Sequence, residues 1–153
     1  MQDKDLFRSS SYYMLNKAWR FNHPDIDSQG TGMGLQTEVN GKISMISDRS
    51  AIRQSILLLM STIPGERVMR PKYGCNLYQL AFMPNDATAH GLAMHHVRTA
   101  IEQWEPRVDI IHIDADVNVN NPNLMDIMLD YRVRNLPQTE QMIISYHLMG
   151  AEI

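Results

Sequence analysis

The chain has 153 residues, a formal net charge of −3, one cysteine and twelve methionines. That length suffices for one domain with a real core, and that charge excludes recruitment by a nucleic-acid or anionic-membrane field. A lone Cys75 excludes an internal disulfide and fits a reducing compartment, and no run of about 18 apolar residues is present to span a membrane.

The opening MQDKDLFRSSSYY carries acids and no apolar run, unlike a signal peptide. Periodicity is weak through residue 34. Tyr12, Tyr13, Leu15, Trp19 and Phe21 are interleaved with Lys17 and Arg20, and His23-Pro24-Asp25 marks a turn. Residues 1–34 therefore read as an N-terminal arm, ahead of a domain at 35–153. Gly30-Thr31-Gly32-Met33-Gly34 lacks the Gly-Lys-Ser/Thr ending of a phosphate loop and follows no strand, so it reads as a tight turn.

Leu35–Val39 and Lys42–Ile46 flank Asn40-Gly41, the favoured pair for a type I′ turn, which predicts a hairpin. A helix follows. Ser47 or Asp48 can cap it, and Ile52, Ile56, Leu59, Met60 and Ile63 fall on one face by spacings of three and four. Pro64 steers Ile63 out of the helical region and Gly65 permits a sharp turn.

The stretch Gly65-Glu66-Arg67-Val68-Met69-Arg70-Pro71-Lys72-Tyr73-Gly74-Cys75 puts three cations between two turns. A solvated loop with local ion pairs explains that about as well as an electrostatic contact with a protein partner. Asn76–Phe82 predicts a short helix closed by Pro84. Asn85 or Asp86 then caps a long helix over about 87–104, whose buried stripe is Ala89, Ala93, Val97, Ala100, Ile101 and Trp104.

Three strands complete the chain. In 109–120, Ile111, Ile113, Ala115, Val117 and Val119 alternate with polar residues. In 124–134 the apolar set is Met125, Ile127, Leu129, Tyr131 and Val133; in 139–149 it is Met142, Ile144, Tyr146 and Leu148. Consecutive strands with short links predict an antiparallel meander. Helices packed on one face of it give an α+β two-layer domain. The last strand is expected at a sheet edge, open to strand addition by a partner around Ile144 and Tyr146.

Chemistry is sparse. His90, His95 and His96 are five apart and adjacent, not three or four apart as a helical metal pair requires, so no metal site is expected. Glu66, Glu102, Glu105, Asp109, Asp114 and Asp116 show no spacing that marks a glycosidase pair. Cys75 lacks a motif partner and reads as a small buried residue. Glu105-Pro106-Arg107 stands apart, with opposite charges around a rigid proline at a helix-to-strand junction. It reads either as a local ion pair or as a partner contact.

Ile52-Arg53-Gln54-Ser55-Ile56, Ser61-Thr62, Pro64-Gly65-Glu66-Arg67-Val68-Met69-Arg70-Pro71 and Tyr73-Gly74-Cys75, followed by Glu105-Pro106-Arg107, resemble the gene-25-like baseplate family. The resemblance covers residues 30–153 and includes a Gly-Thr-Gly at 30–32, followed here by Met33-Gly34 where an aromatic and a proline are common. It implies a sheath-initiator subunit of a phage tail, an extracellular injection particle or a type VI baseplate, with the full Pro-Gly-Glu-Arg-Val-Met-Arg-Pro string closer to extracellular particles. The implied partners are sheath subunits, baseplate wedge or core-bundle proteins, and inner tube or hub proteins. No nucleic acid, membrane insertion or cofactor is implied. The partner-binding residues expected are Glu105, Pro106, Arg107, Glu66, Arg67, Arg70, Ile144 and Tyr146. Assembly is expected in the cytoplasm. Two competing readings are a peptidoglycan hydrolase, from the older lysozyme label of such proteins, and a soluble regulatory binding module.

Overall fold

The computed structural model describes residues 17–22, 34–134 and 136–148. The elements are β1 (Lys17–Trp19), β2 (Phe21–Asn22), β3 (Gly34–Leu35), β4 (Met45–Ser47), α1 (Asp48–Ser61), a 3₁₀ turn (Asn76–Leu80), α2 (Ala87–Trp104), β5 (Val108–Val117), β6 (Leu124–Val133) and β7 (Thr139–His147). The fold class is α+β, as expected. The chain divides into two compact units, Met1–Leu57 and Leu58–Ile153.

In the first unit, β1 pairs antiparallel with β4, and β2 pairs antiparallel with β3. The segment between them closes a ring of backbone bonds. Arg20 N–H donates to Ser44 O, Ser44 N–H to Gln36 O, and Gln36 N–H to Arg20 O. Gln54 on α1 fastens this small sheet, accepting from Phe21 N–H and donating to Trp19 O, both at 2.9 Å. The Gly30-Thr31-Gly32 turn lies outside the described residues.

The hairpin differs from the type I′ expectation. Gly41 N–H donates to Glu38 O and Glu38 N–H to Lys42 O. Of the central residues only Gly41 has a positive φ, at 79°. This is a three-residue loop, a type I turn followed by a left-handed glycine. The Asn40 side chain accepts from Lys42 N–H instead of adopting the left-handed conformation.

Asp48, at φ 51°, turns the chain into α1. Ile52, Ile56, Leu59 and Met60 are buried, whereas Ile63 lies past the helix end and is exposed. Thr62 ends the helix by donating its hydroxyl to Leu58 O at 2.6 Å.

In the second unit, β5, β6 and β7 form a three-stranded antiparallel meander in that order. α2 lies against β5, β6 and the 3₁₀ turn, giving the two expected layers. Its buried stripe is Ala89, Ala93, Val97, Ala100 and Ile101. The alanines let the helix approach closely, since each adds only a methyl group. Asp86 caps it, accepting from Ala89 N–H at 2.9 Å. Asn85 is engaged elsewhere. Its amide donates to Pro122 O and Leu124 O, and its Oδ1 contacts His90 Nε2 at 2.7 Å. Because the Asn85 nitrogen is committed to two carbonyls, its oxygen must accept, which makes His90 Nε2 the donor. Asn85 thus straps the start of α2 to the β5–β6 turn.

The alternation predicted for β6 and β7 holds except at Tyr146, which is half-buried: Met125, Ile127, Leu129, Tyr131 and Val133 are buried, as are Met142, Ile144 and Leu148. β5 departs from it. A bulge between Ile110 and His112 leaves Ile111 without an opposite residue and half exposed. One extra residue flips the face of everything before it, so Val108, rather than Asp109, joins the core on that side. At the far end β5 stops at Val117, and Val119 stands in solvent.

Candidate partner-docking site

The loop after α1 is built from short backbone bonds. Glu66 N–H donates to Ile63 O, Arg70 N–H to Arg67 O and Tyr73 N–H to Arg70 O. The loop closes where Cys75 N–H donates to Thr62 O at 2.9 Å. That closure needs Gly74, which is buried, sits at φ 136° and leaves no room for a methyl group beside the Thr62 carbonyl.

The side chains then sort themselves. The Glu66 carboxylate accepts from Ile63 N–H at 3.0 Å and so serves the turn. The Arg67 guanidinium lies 4.3 Å from the centroid of the Tyr73 ring, a cation–π contact. The Tyr73 ring meets Trp104 edge to face, 5.4 Å away. Val68 and Met69 are 92% and 91% exposed, so the loop holds two apolar side chains out in water between Arg67 and Arg70.

Trp104 is the last residue of α2, and the next residue begins the second motif. Glu105 N–H closes the helix on Ile101 O. The Glu105 side chain is buried to 4% exposure, and both its oxygens are gripped by the half-exposed Arg107 guanidinium, at 2.5 and 2.6 Å. Such a fork is the strong form of an ion pair. The bond to Glu105 holds the Arg107 guanidinium above its ordinary pKa. Around it, Val108 N–H donates to Glu105 O and Arg134 N–H to Arg107 O. The Tyr73 hydroxyl is pushed up chiefly by burial, with Arg67 and Arg70 pulling down and Glu105 pushing up. The phenol therefore stays neutral.

The two sequence motifs thus meet in space. Arg67, Tyr73 and Trp104 form a stack leading to the Glu105–Arg107 fork, with Pro106 exposed at the turn. Glu66 and Arg70 share the loop, Arg70 exposed. Ile144 and Tyr146 belong to β7 instead. Ile144 is buried and Tyr146 half-buried, its hydroxyl pushed up by burial and then by the nearby Cys75. Cys75 itself is a buried thiol pushed up to about 11 by burial, which leaves it protonated and unreactive. Sequence reasoning missed Tyr73 and Trp104 as the bridge and Val68-Met69 as the projecting pair. The aromatic residue closing a basic loop was the available signal.

β7 is an edge of its sheet among the described residues. Antiparallel pairing alternates between residues bonded to the neighbour and residues facing away. Leu148 N–H donates to Asn123 O, in register with Leu124 opposite His147. Counting back by twos, Tyr146 and Ile144 turn their backbone groups to β6, while Ser145, Ile143 and Gln141 present theirs to the open side.

The other carboxylates weighed for a glycosidase pair are held locally. Asp109 pairs with Arg134 at 2.9 Å and Glu102 with Arg98 at 4.0 Å, and Asp114 and Asp116 accept from the amides that follow them. Among the described residues no group of His, Cys, Asp and Glu is placed to hold a metal ion, and no helix is long and apolar enough to cross a membrane.

A comparison with curated proteins finds no match. Solved structures do match. A Geobacter sulfurreducens protein named a tail lysozyme is 30% identical, with TM-score 0.62 over 67% of this chain and 94% of that one. A chain of the anti-feeding prophage baseplate is 18% identical, with TM-score 0.65 over 79% and 87%. A chain of the postcontracted pyocin R2 baseplate is 24% identical, with TM-score 0.51 over 65% and 96%. The last two share the fold. The family model of the baseplate wedge protein gp25 matches residues 46–138, more than half of the sequence and both the basic loop and the Glu105-Pro106-Arg107 turn, and the chain belongs to that family.

Proposed function

We propose that this baseplate subunit joins the baseplate of a contractile particle to the first sheath ring and starts sheath assembly. The observation that carries the reading is the edge of β7, where, among the described residues, Gln141, Ile143 and Ser145 turn their backbone groups to the open side, available to an added strand. In this reading a sheath subunit supplies that strand. The Glu105-Pro106-Arg107 turn, with Arg67 and Arg70 beside it, supplies a second surface for wedge or core-bundle proteins, and inner tube or hub proteins are further candidates. In this reading residues 1–34 are an arm and residues 35–153 the baseplate domain. The subunit is made and built in before the particle leaves the cytoplasm.

Cell-wall hydrolysis has no support in the six carboxylates that the sequence singles out. Hydrolysis needs two carboxyl groups flanking one sugar linkage, and Glu66, Glu102, Glu105, Asp109, Asp114 and Asp116 are each engaged by a neighbouring amide or cation. The purified subunit is expected to release no soluble fragments from peptidoglycan, and cells lacking it are expected to make baseplates without sheath. Peptidoglycan turnover that disappears in the Glu66→Gln variant would overturn the structural reading.

A further inference from the structure

Between the basic loop and α2 runs a cleft of about 440 Å³ that shares Trp104 with the aromatic stack beside the Glu105–Arg107 turn. One wall is Pro64, Pro71 and Lys72 from the loop; the other is His95, His96, Thr99 and Gln103 from α2, with Ala100 and Trp104 at the base. Its lining includes no carboxylate. The loop itself carries Arg67, Arg70 and Lys72 against a single acid, Glu66, whose carboxylate is already bound to Ile63 N–H. This is a local excess of positive charge on a chain whose net charge is −3.

The polar groups divide by kind. Lys72 brings a mobile point charge on a long stem. Burial, and next the neighbouring His95, hold His96 below the usual imidazole range, so it meets a ligand as a neutral hydrogen-bonding group. Thr99 and Gln103, one helical turn apart, add donors and acceptors along the same face of α2. The apolar base suits a methylene stem, and the polar rim suits a carboxylate at its end. A nucleic acid is a poor fit, because one fixed cation does not offset the repulsion between a polyanion and an acidic protein.

We propose that this cleft seats an acidic, extended peptide segment of an adjoining baseplate subunit, a glutamate or aspartate side chain meeting Lys72 and the His95/His96 pair. The inference rests on the baseplate reading and adds a contact beside the Glu105–Arg107 turn, away from the β7 edge.

Two substitutions test it in particles assembled by the producing cell. Gln103 is replaced by the photocrosslinking residue p-benzoylphenylalanine, and the crosslinked peptide is mapped by mass spectrometry. The expected product joins the cleft to a segment of another baseplate subunit that has an acidic residue within a few positions of the crosslink. In parallel, Lys72→Glu is expected to melt like the parent and to enter baseplates at least tenfold less, while Lys72→Arg enters normally. If the subunit is present in particles but Gln103 crosslinks to no other subunit, to a segment without acids, or to nucleic acid or lipid, the cleft proposal falls and the baseplate reading stands. Normal entry of Lys72→Glu has the same consequence. Particles that lack the subunit altogether would remove both.

Discussion

Replacing Gly74 with alanine is expected to destabilise the subunit by about 3 kcal/mol or more, the sum of a left-handed backbone penalty and forced overpacking. Gly74 sits at φ 136°, and a Cβ built there would lie 2.4 Å from the Thr62 carbonyl oxygen and 2.9 Å from the Pro64 nitrogen. Both are backbone atoms, so no side chain can rotate away. Thr62 O already accepts from Cys75 N–H, and that bond closes the loop. Forcing the two ends of the loop apart would also displace Tyr73 from Trp104 and Arg67 from Tyr73. Urea unfolding measures the loss, and the tryptophan fluorescence of the folded variant reports the displaced ring. A Gly74→Ala protein within about 0.5 kcal/mol of the parent, the range of ordinary surface changes, would show that the loop closure is not tight.

The second large effect concerns Arg107. Glu105 is nearly fully buried, so Arg107→Ala removes from a buried carboxylate the guanidinium that grips both its oxygens. Removing one member of a buried pair costs about 3–5 kcal/mol. The half-exposed guanidinium here is partly screened by water, which brings the expectation to about 2–3 kcal/mol. The pair therefore holds the helix-to-strand junction whatever else it binds. The double variant Glu105→Gln/Arg107→Met separates the two roles, because removing both charges relieves most of the penalty. It is expected to recover at least half of the lost stability and still to enter baseplates poorly, since the fork that would meet a wedge protein is gone. A double variant that is stable and fully incorporated would confine the motif to the fold.

Much of the fold was legible because one physical pattern dominated each element. The alanine stripe of α2 and a cap at Asn85 or Asp86 followed from period and from capping chemistry, and β6 and β7 from alternation. What was not legible depended on contacts distant in sequence. Nothing local marks the bulge at Ile111; a run of apolar residues, Ile110, Ile111 and Ile113, fits either register until β6 is beside it. Asn40-Gly41 suggested a two-residue turn, but the ring of bonds through Arg20, Gln36 and Ser44 accompanies a three-residue loop. Lys17–Asn22 showed no period of its own and became strand only by pairing with residues 34–47. At the site, both motifs were visible, yet the burial of Glu105 was not, because a glutamate before proline at a helix end usually faces water. The Tyr73–Trp104 contact that joins the motifs spans a separation no local pattern reveals.

The edge of β7 carries the central claim, and its geometry selects the substitution. The backbone groups of Ile144 face β6, so proline there would break the protein's own ladder. Ile143 faces the open side, with its side chain 57% exposed, and proline is tolerated where an edge N–H points outward. The most direct measurement is electron microscopy of particles assembled with the Ile143→Pro subunit, after its melting temperature has been matched to the parent. The account predicts baseplates that contain the subunit and carry no sheath; sheathed particles in normal number would contradict it.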